Sequence, residues 1–170
     1  MFLKGTRCDT PKCAFERRES PPGMNNFRRS KPTDYGLHLR EKQKVRRYYG
    51  VLERQFRKYF KMAEAARGNT GEVLMSLLER RLDNVVLASG FALSRNHARQ
   101  LINHGHFRVN SRRVEIASFQ VRPGDVVEPA TKDKTRNIVK ESVEVNKSQP
   151  VPTWLEVSGE ALSAKVTGIP

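Results

Sequence analysis

The stretch Leu77 to Asn110, LLERRLDNVVLASGFALSRNHARQLINHGHFRVN, changes its hydrophobic period once, and that change decides the fold. Val73, Leu74, Leu77, Leu78, Leu82, Val85 and Val86 follow the spacing of one helix face, and the pattern stops at Ser89-Gly90. Ser94 is a suitable N-cap for a second helix from Arg95 to Asn103, with Gly105 as its left-handed stop. Ala98, Leu101 and Ile102 of that helix face a core, while Arg95 and Arg99 lie one turn apart on another face. From Phe107 the period becomes two. Phe107 and Val109 alternate with Arg108 and Asn110, and Val114 and Ile116 alternate with Arg113 and Glu115, so strands are expected on both sides of an Asn110-Ser111 hairpin turn. Two short helices followed by a small, mostly antiparallel sheet make an α+β module.

Downstream, Phe119 and Val121 precede the turn signal Arg122-Pro123-Gly124-Asp125, and Val126-Val127 resume a strand. A short helix is possible around Arg136 to Val145, and Trp154-Leu155-Glu156-Val157 reads as another strand after Pro150 and Pro152. Upstream, Asn69-Thr70-Gly71 separates the module from a helical stretch that runs from an Asp34 N-cap to about Arg67. There Val45, Tyr48, Tyr49, Leu52, Phe56, Tyr59, Phe60 and Ala63 form one apolar stripe, and Gly50 implies a kink or two helices. Residues 1–33 read as an irregular, basic arm, broken by Pro21-Pro22-Gly23 and Lys31-Pro32. The expected organisation is an arm over 1–33, a helical domain over 34–79, the α+β module over 80–142 and a C-terminal segment over 143–170.

Charge narrows the function. The 170 residues hold 32 Lys and Arg against 18 Asp and Glu, a net of +14. Such an excess costs stability by self-repulsion unless a polyanion neutralises it. Residues 1–67 carry a net of +11 and residues 80–140 a net of +7, so the basic surface comes in two blocks. That distribution suits a folded nucleic acid gripped at several places better than a single basic tail does; an anionic membrane surface is the competing class. No apolar run approaches the roughly 20 residues of a membrane span, and Met1 to Arg7 lacks the apolar centre of a secretory signal. Two cysteines five positions apart make a poor disulfide framework and point to a reducing cytosol.

The blocks Thr33-Asp34-Tyr35-Gly36, Leu39-Arg40-Glu41-Lys42-Gln43-Lys44-Val45-Arg46-Arg47 and Tyr49-Gly50-Val51-Leu52-Glu53-Arg54-Gln55-Phe56 resemble the helical domain of the bacterial-type small-subunit ribosomal protein four family. Leu78 to Val86, Ser94-Arg95, Ala98-Arg99-Gln100-Leu101, His104-Gly105-His106, Val109-Asn110 and Arg122-Pro123-Gly124-Asp125 are similar to its S-four RNA-binding module. Pro152 to Val157 resembles its later signature. The likeness covers nearly the whole chain. It implies a cytoplasmic rRNA-binding protein of the small subunit that nucleates assembly at a multi-helix junction. It also implies contact with ribosomal protein five and influence on decoding accuracy, with the mRNA entry channel and the protein's own mRNA as further partners. Relative to that family the chain opens inside the N-terminal region and stops at Pro170 before the usual C-terminal segment, so a short gene product or a partial chain is expected. Ser111 replaces the family's usual hairpin glycine and predicts a strained turn.

The residues expected to bind rRNA are Arg17, Arg18, Arg28 and Arg29 of the arm, and Lys42, Lys44, Arg46, Arg47, Arg54 and Arg57 of the helical block. In the module they are Arg80, Arg81, Ser94, Arg95, Arg99, Gln100, His104, Arg112 and Arg113. Off the apolar stripe Lys58 and Lys61 stand with the helical group, relieved only by Glu41 and Glu53. A charged helix face is ordinarily just solvated surface, but here its sign is too uniform for mixed pairing. Arginine suits the task because its planar guanidinium bridges phosphate oxygens or stacks on a base.

Three other chemistries compete. Cys8-x4-Cys13 is half of the four-cysteine zinc site found in some family members; with no histidine near in sequence, two unligated thiols and no metal or other cofactor are expected. Arg81-Leu82-Asp83 resembles the catalytic triplet of pseudouridine synthases that carry an S-four module. Lying on an amphipathic helix with no catalytic domain beside it, Asp83 is expected to cap, or to pair with Arg80 or a backbone group. Trp154 and the Tyr/Phe stripe could stack on bases but at this spacing read as core. A free-standing S-four RNA-binding factor remains an alternative, opposed by the helical block before residue 70.

Overall fold

The computed structural model describes residues 2–18, 20, 23, 31 and 33–170. Among them are seven helices: α1 (Ala14–Arg17), α2 (Asp34–Tyr48), α3 (Glu53–Ala65), α4 (Thr70–Glu79), α5 (Leu82–Ala88), α6 (Arg95–Asn103) and α7 (Asp133–Val145). The strands are β1 (Phe107–Val109), β2 (Arg112–Arg113), β3 (Val126–Pro129), β4 (Leu155–Ser158) and β5 (Ser163–Val166). They form one antiparallel sheet in the order β2-β1-β3-β5-β4. The architecture is α+β, with a helical N-terminal block ahead of helices packed on a sheet.

Two apolar clusters hold it together. The smaller gathers Tyr49, Val51, Phe56, Tyr59 and Leu78, so α4 closes the helical block from the far side. The larger joins Leu82, Val85 and Val86 of α5 with Ala98, Leu101 and Ile102 of α6, Phe107 and Val109 of β1 and Val127 of β3. Leu155, Ala164 and Val166 belong to the same cluster, so β4 and β5 complete the core of the module. Trp154 is half-buried against it.

Local signals act as their chemistry requires, with several shifts. The first N-cap is Thr33, whose Oγ1 accepts from the Gly36 amide at 3.2 Å; Asp34 falls one place later, in the first turn, where its charge still suits the helix dipole. Gly50, at φ +63°, separates α2 from α3. Of the apolar stripe only Tyr49, Phe56, Tyr59 and Ala63 are buried: Val45 packs partly against the smaller cluster, while Tyr48, Leu52 and Phe60 are exposed, Leu52 at 79%. The single periodic run from Val73 to Val86 is two helices, because Arg81 is extended at ψ 137° and bridges Gln120.

The predicted strand over Val114 and Ile116 is a correction. Only Arg112 and Arg113 pair, and Ile116 is 62% exposed. The chain leaves the hairpin because the following segment serves α5 instead. Carbonyls of Phe119 and Ala117 accept from the Leu82 and Asp83 amides at 2.9 and 3.1 Å, satisfying donors that a helix start leaves orphaned. The possible helix around Arg136 begins earlier, at Asp133, and β5 had no counterpart in the sequence reading.

Within the expected arm, Gly5 to Asp9 form a 3-10 turn and Cys13 is buried. Gly5, at φ +60°, lies so close to Leu93 that a Cβ would stand 2.2 Å from its carbonyl oxygen, which ties this segment to the loop before α6. Arg28 and Arg29 lie outside the described residues.

The β1–β2 turn places both Asn110 and Ser111 at positive φ, +50° and +64°, as a two-residue hairpin demands. Asn110 earns its place: its Nδ2 donates to Asp125 Oδ1 at 2.8 Å and its Oδ1 accepts from the Val126 amide at 2.9 Å. Ser111 makes no side-chain bond of this kind among those described. Replacing Ser111 with Gly is therefore expected to raise unfolding stability by roughly 0.5–1 kcal/mol, the left-handed strain relieved minus the greater freedom of glycine in the unfolded chain. The check is a urea midpoint shifted upward at unchanged slope.

Candidate nucleic-acid interface

Helix α3 separates its two jobs by face. Phe56, Tyr59 and Ala63 are buried, while Arg54, Arg57, Lys58 and Lys61 recur at the three- and four-residue steps that align them on the opposite side. These four cations line one shallow hollow together with Met62 and Ala65. All four are exposed, and of them Arg57 alone has a described acidic partner, Glu53 at 3.1 Å.

Glu53 draws in three cations at once, from two helices. Its carboxylate accepts from Lys42 at 2.7 Å and Arg46 at 3.2 Å, besides Arg57. The Lys42 ammonium above all, with Arg57 assisting against partial desolvation, holds the carboxyl below its ordinary range. Lys42 and Arg46 thus serve the α2–α3 corner, whereas Arg47 remains exposed and Lys44 keeps only a loose 3.4 Å pairing with Glu41.

A second basic group collects where α6 ends, the hairpin turns and α7 begins. His104, Arg112 and Arg113 are exposed, and the His104 and His106 rings stack at 6.2 Å. Burial first, and then the nearby His104, Lys132, Arg113 and Lys134, lower the pKa of His106. His106 Nδ1 meets Thr135 Oγ1 at 2.8 Å. Lys132 and Lys134 were not among the expected binding residues, whereas Lys58 and Lys61 already stood with the helical group. The 54-57-58-61 spacing was readable in sequence; the meeting of 104–106 with 132–134 was not.

Several predicted contacts are spent inside the protein. Arg81 is a correction: at 4% exposure it donates to both oxygens of Asp83, at 3.0 and 2.6 Å, and to the Tyr59 hydroxyl at 2.8 Å. Burial is the largest influence on Arg81 and disfavours its charge, but the Asp83 carboxylate, with Tyr59, outweighs it and leaves the guanidinium more basic than usual. Asp83 also accepts from Arg99 Nη2 at 2.9 Å, so its partners are Arg81 and Arg99, not the expected Arg80. Arg80 bonds the Val121 carbonyl, and Ser94 caps α6 by accepting from the His97 amide at 3.2 Å. Burial lowers the pKa of His97.

Arg95 lies over the Tyr48 ring at 3.9 Å and donates to Asn84 Oδ1 at 3.0 and 3.2 Å. Asn84 in turn donates to Glu79, which also accepts the Tyr49 hydroxyl. Burial first, and then Glu79, push the Tyr49 phenol far above its usual range, keeping it a neutral donor. Gln100 is exposed, as are Arg17 and Arg18; Arg18 Nε donates to Ser20 at 3.0 Å. Cys8 is half-buried and accepts from the Lys4 amide at 3.3 Å; Cys13 is buried. No cluster of three metal-ligating side chains occurs among the described residues, and none of their helices is long and apolar enough to cross a membrane.

A helical block and a helix-sheet module, each faced with exposed cations and joined by an arginine-rich seam, define an RNA-binding protein of the S4-domain class. Residues 1–79 match the ribosomal protein S4/S9 N-terminal domain, and residues 80–127 match the S4 domain. The chain belongs to the small ribosomal subunit protein uS4 family, whose members are structural proteins of the ribosome and not enzymes. It is 54% identical to small ribosomal subunit protein uS4 of Thermodesulfovibrio yellowstonii and 54% identical to that of Caldicellulosiruptor bescii. The uS4 protein of Dictyoglomus turgidum is 53% identical. Each match covers 100% of this chain and 82% of the relative.

The Asp83 cluster generates a stability prediction. Asp83→Asn leaves Arg81 buried beside a neutral amide and should cost roughly 3 kcal/mol, since removing one partner strands the other charge. Combining it with Arg81→Met should restore part of that loss, because the stranded charge goes too. Urea unfolding of the two variants measures both; equal destabilisation would show that the charge is not what matters.

Proposed function

We propose that this chain is a structural constituent of the small ribosomal subunit that holds a multi-helix junction of the rRNA and thereby nucleates assembly. The observation that carries the reading is the uniform α3 face, four exposed cations at helical spacing on a helix whose other side is core. Glu53 is drawn to the α2–α3 corner by Lys42 and Arg46 and reaches only Arg57 of this face, so among the described residues Arg54, Lys58 and Lys61 keep their charge for a partner outside the protein. The exposed side chains of His104, Arg112, Arg113, Lys132 and Lys134, gathered where His106 stacks on His104 and meets Thr135, supply a separate grip. Two grips at fixed separation favour a branched RNA over a single duplex, because shape and phosphate position then matter more than base sequence.

Within the subunit, contact with ribosomal protein five, a bearing on decoding accuracy and approach to mRNA belong to the same reading. They rest on the family resemblance. The names of the relatives support the ribosomal setting, and the match of residues 1–79 speaks against a free-standing S4 factor. An RNA-modifying activity at Asp83 is disfavoured by its 1% exposure and its two arginine partners.

Binding to small-subunit rRNA should weaken steeply with salt, log K falling by about 0.7–0.9 per phosphate neutralised for each unit of log salt. Combining Arg57→Gln, Lys58→Gln and Lys61→Gln should flatten that slope by roughly 2–3. Filter binding across a salt series measures it. A nearly flat dependence in the unaltered protein would refute the phosphate-binding reading, and absence of the protein from small subunits on a sucrose gradient would refute the ribosomal one.

A further inference from the structure

A second concavity, besides the α3 hollow, lies among the described residues. Where the α2–α3 corner meets α6 and residues 115–118, a cleft of about 380 Å³ opens between the two blocks. Its size falls in the roughly 300–1,000 Å³ range of ligand-sized sites.

The walls are apolar beyond what the fold needs. Leu52 and Ile116 line the cleft and are 79% and 62% exposed, and neither belongs to either apolar cluster. Exposed apolar side chains are ordinary when scattered singly; two from separate blocks lining one cleft are not scattered.

The floor is polar and positive. Arg81 and Arg99 both line it, and one carboxylate, Asp83, bonds both. Two guanidinium charges against one carboxylate leave a net of +1. Arg99 is also the more open of the two, its side chain 33% exposed against 4% for Arg81. Its position is held by Asp83 at 2.9 Å and it lies close over Gly50, where an added Cβ would stand 3.4 Å from the guanidinium. Gln55 and Asn103 bring amide groups that can donate and accept. The acidic residue on the lining, Glu115, is already paired with Arg113.

A flat apolar group, an anion beside it and polar edges between them describe one nucleotide outside a helix. Bases splayed from single-stranded loops and bulges are what proteins read most specifically in RNA, by stacking and by hydrogen bonds to the base edge. We infer that this cleft seats a single unpaired nucleotide of the rRNA, its base against Leu52 and Ile116 and its phosphate on Arg99. This rests on the rRNA-binding function proposed above and adds to it a base-reading site between the two phosphate-binding faces.

The test uses the full chain and small-subunit rRNA. Leu52→Ser and Ile116→Ser alter exposed side chains, so the double variant should fold normally, which circular dichroism and a urea midpoint verify. Its affinity should fall roughly fivefold, less than the loss of an aromatic stacking partner costs, because Leu52 and Ile116 only cover a face of the base. Because no charge is removed, the salt slope should stay where it was, unlike that of the α3 variants. Chemical probing of base edges should show a nucleotide protected by the unaltered protein and reactive with the double variant. If the unaltered protein binds tightly and the double variant gives the same affinity and protection pattern, the cleft assignment falls while the rRNA-binding reading stands. If the unaltered protein fails to bind, the functional reading itself falls. A defect that appears only when other ribosomal proteins are added assigns the cleft to a protein neighbour and likewise overturns the inference.

Discussion

Asp83 lies where the helical block and the helix-sheet module touch, almost wholly out of water, and it accepts from Arg81 and Arg99. A carboxylate in that position costs several kcal/mol in lost hydration, and only a fully occupied set of donors recovers it. Each constraint then fixes another part of the molecule. Arg81 must be extended to chelate a residue two positions on, so the helical run breaks there and α5 starts afresh. Its third nitrogen, Nη1, donates to Tyr59 of α3, which ties the two blocks together. Arg99 is drawn down from α6 onto Gly50, the corner of α2 and α3. The two apolar clusters stay separate, and polar side chains span the seam between them: this triad on one side, and Glu79, Tyr49, Asn84 and Arg95 on the other. Hydrogen bonds are directional where apolar contact is not, so a polar seam holds two bodies at a defined angle.

How far such a design can be read without coordinates depends on the range of the interaction. Helix α6, the helical character of residues 73–88 (though not the break at Arg81) and the Asn110-Ser111 turn were legible because their causes are local: apolar spacing, the Ser94 cap, and a two-residue loop between alternating strands. The strand at Ile116 was misread because alternation says only that a segment could be extended. Whether it pairs with its neighbour or turns to supply carbonyls to α5 is decided by residues more than thirty positions away. Strand β5 was missed for a related reason. Ser163-Ala164-Lys165-Val166 has a faint period, and its place between β3 and β4 is set by partners on both sides.

The candidate interface divides along the same line. Arg54 and Arg57, with Lys58 and Lys61, could be placed on one outward face from spacing alone. Arg81, Arg95 and Arg99 could not be told apart from them, since a guanidinium that bonds a buried carboxylate looks the same in sequence as one that meets solvent. Composition assigned all these arginines to RNA; geometry sends them first to Asp83, Asn84 and Tyr48.

That division explains how a chain of net charge +14 keeps a fold at all. Two carboxylates, Glu53 at the α2–α3 corner and Asp83 at the seam, between them pair with five basic side chains, and the Asp83 pairs lie where water could screen least. The cations left over stand on α3 and around the hairpin, out in solvent, where their mutual repulsion is weakened by salt over about 10 Å. Repulsion is thus removed where it would unfold the protein and left where a polyanion can relieve it. Association with RNA releases energy at those outer faces without disturbing the inner pairs, so the same arrangement that lets the free chain fold also leaves its affinity for the partner intact.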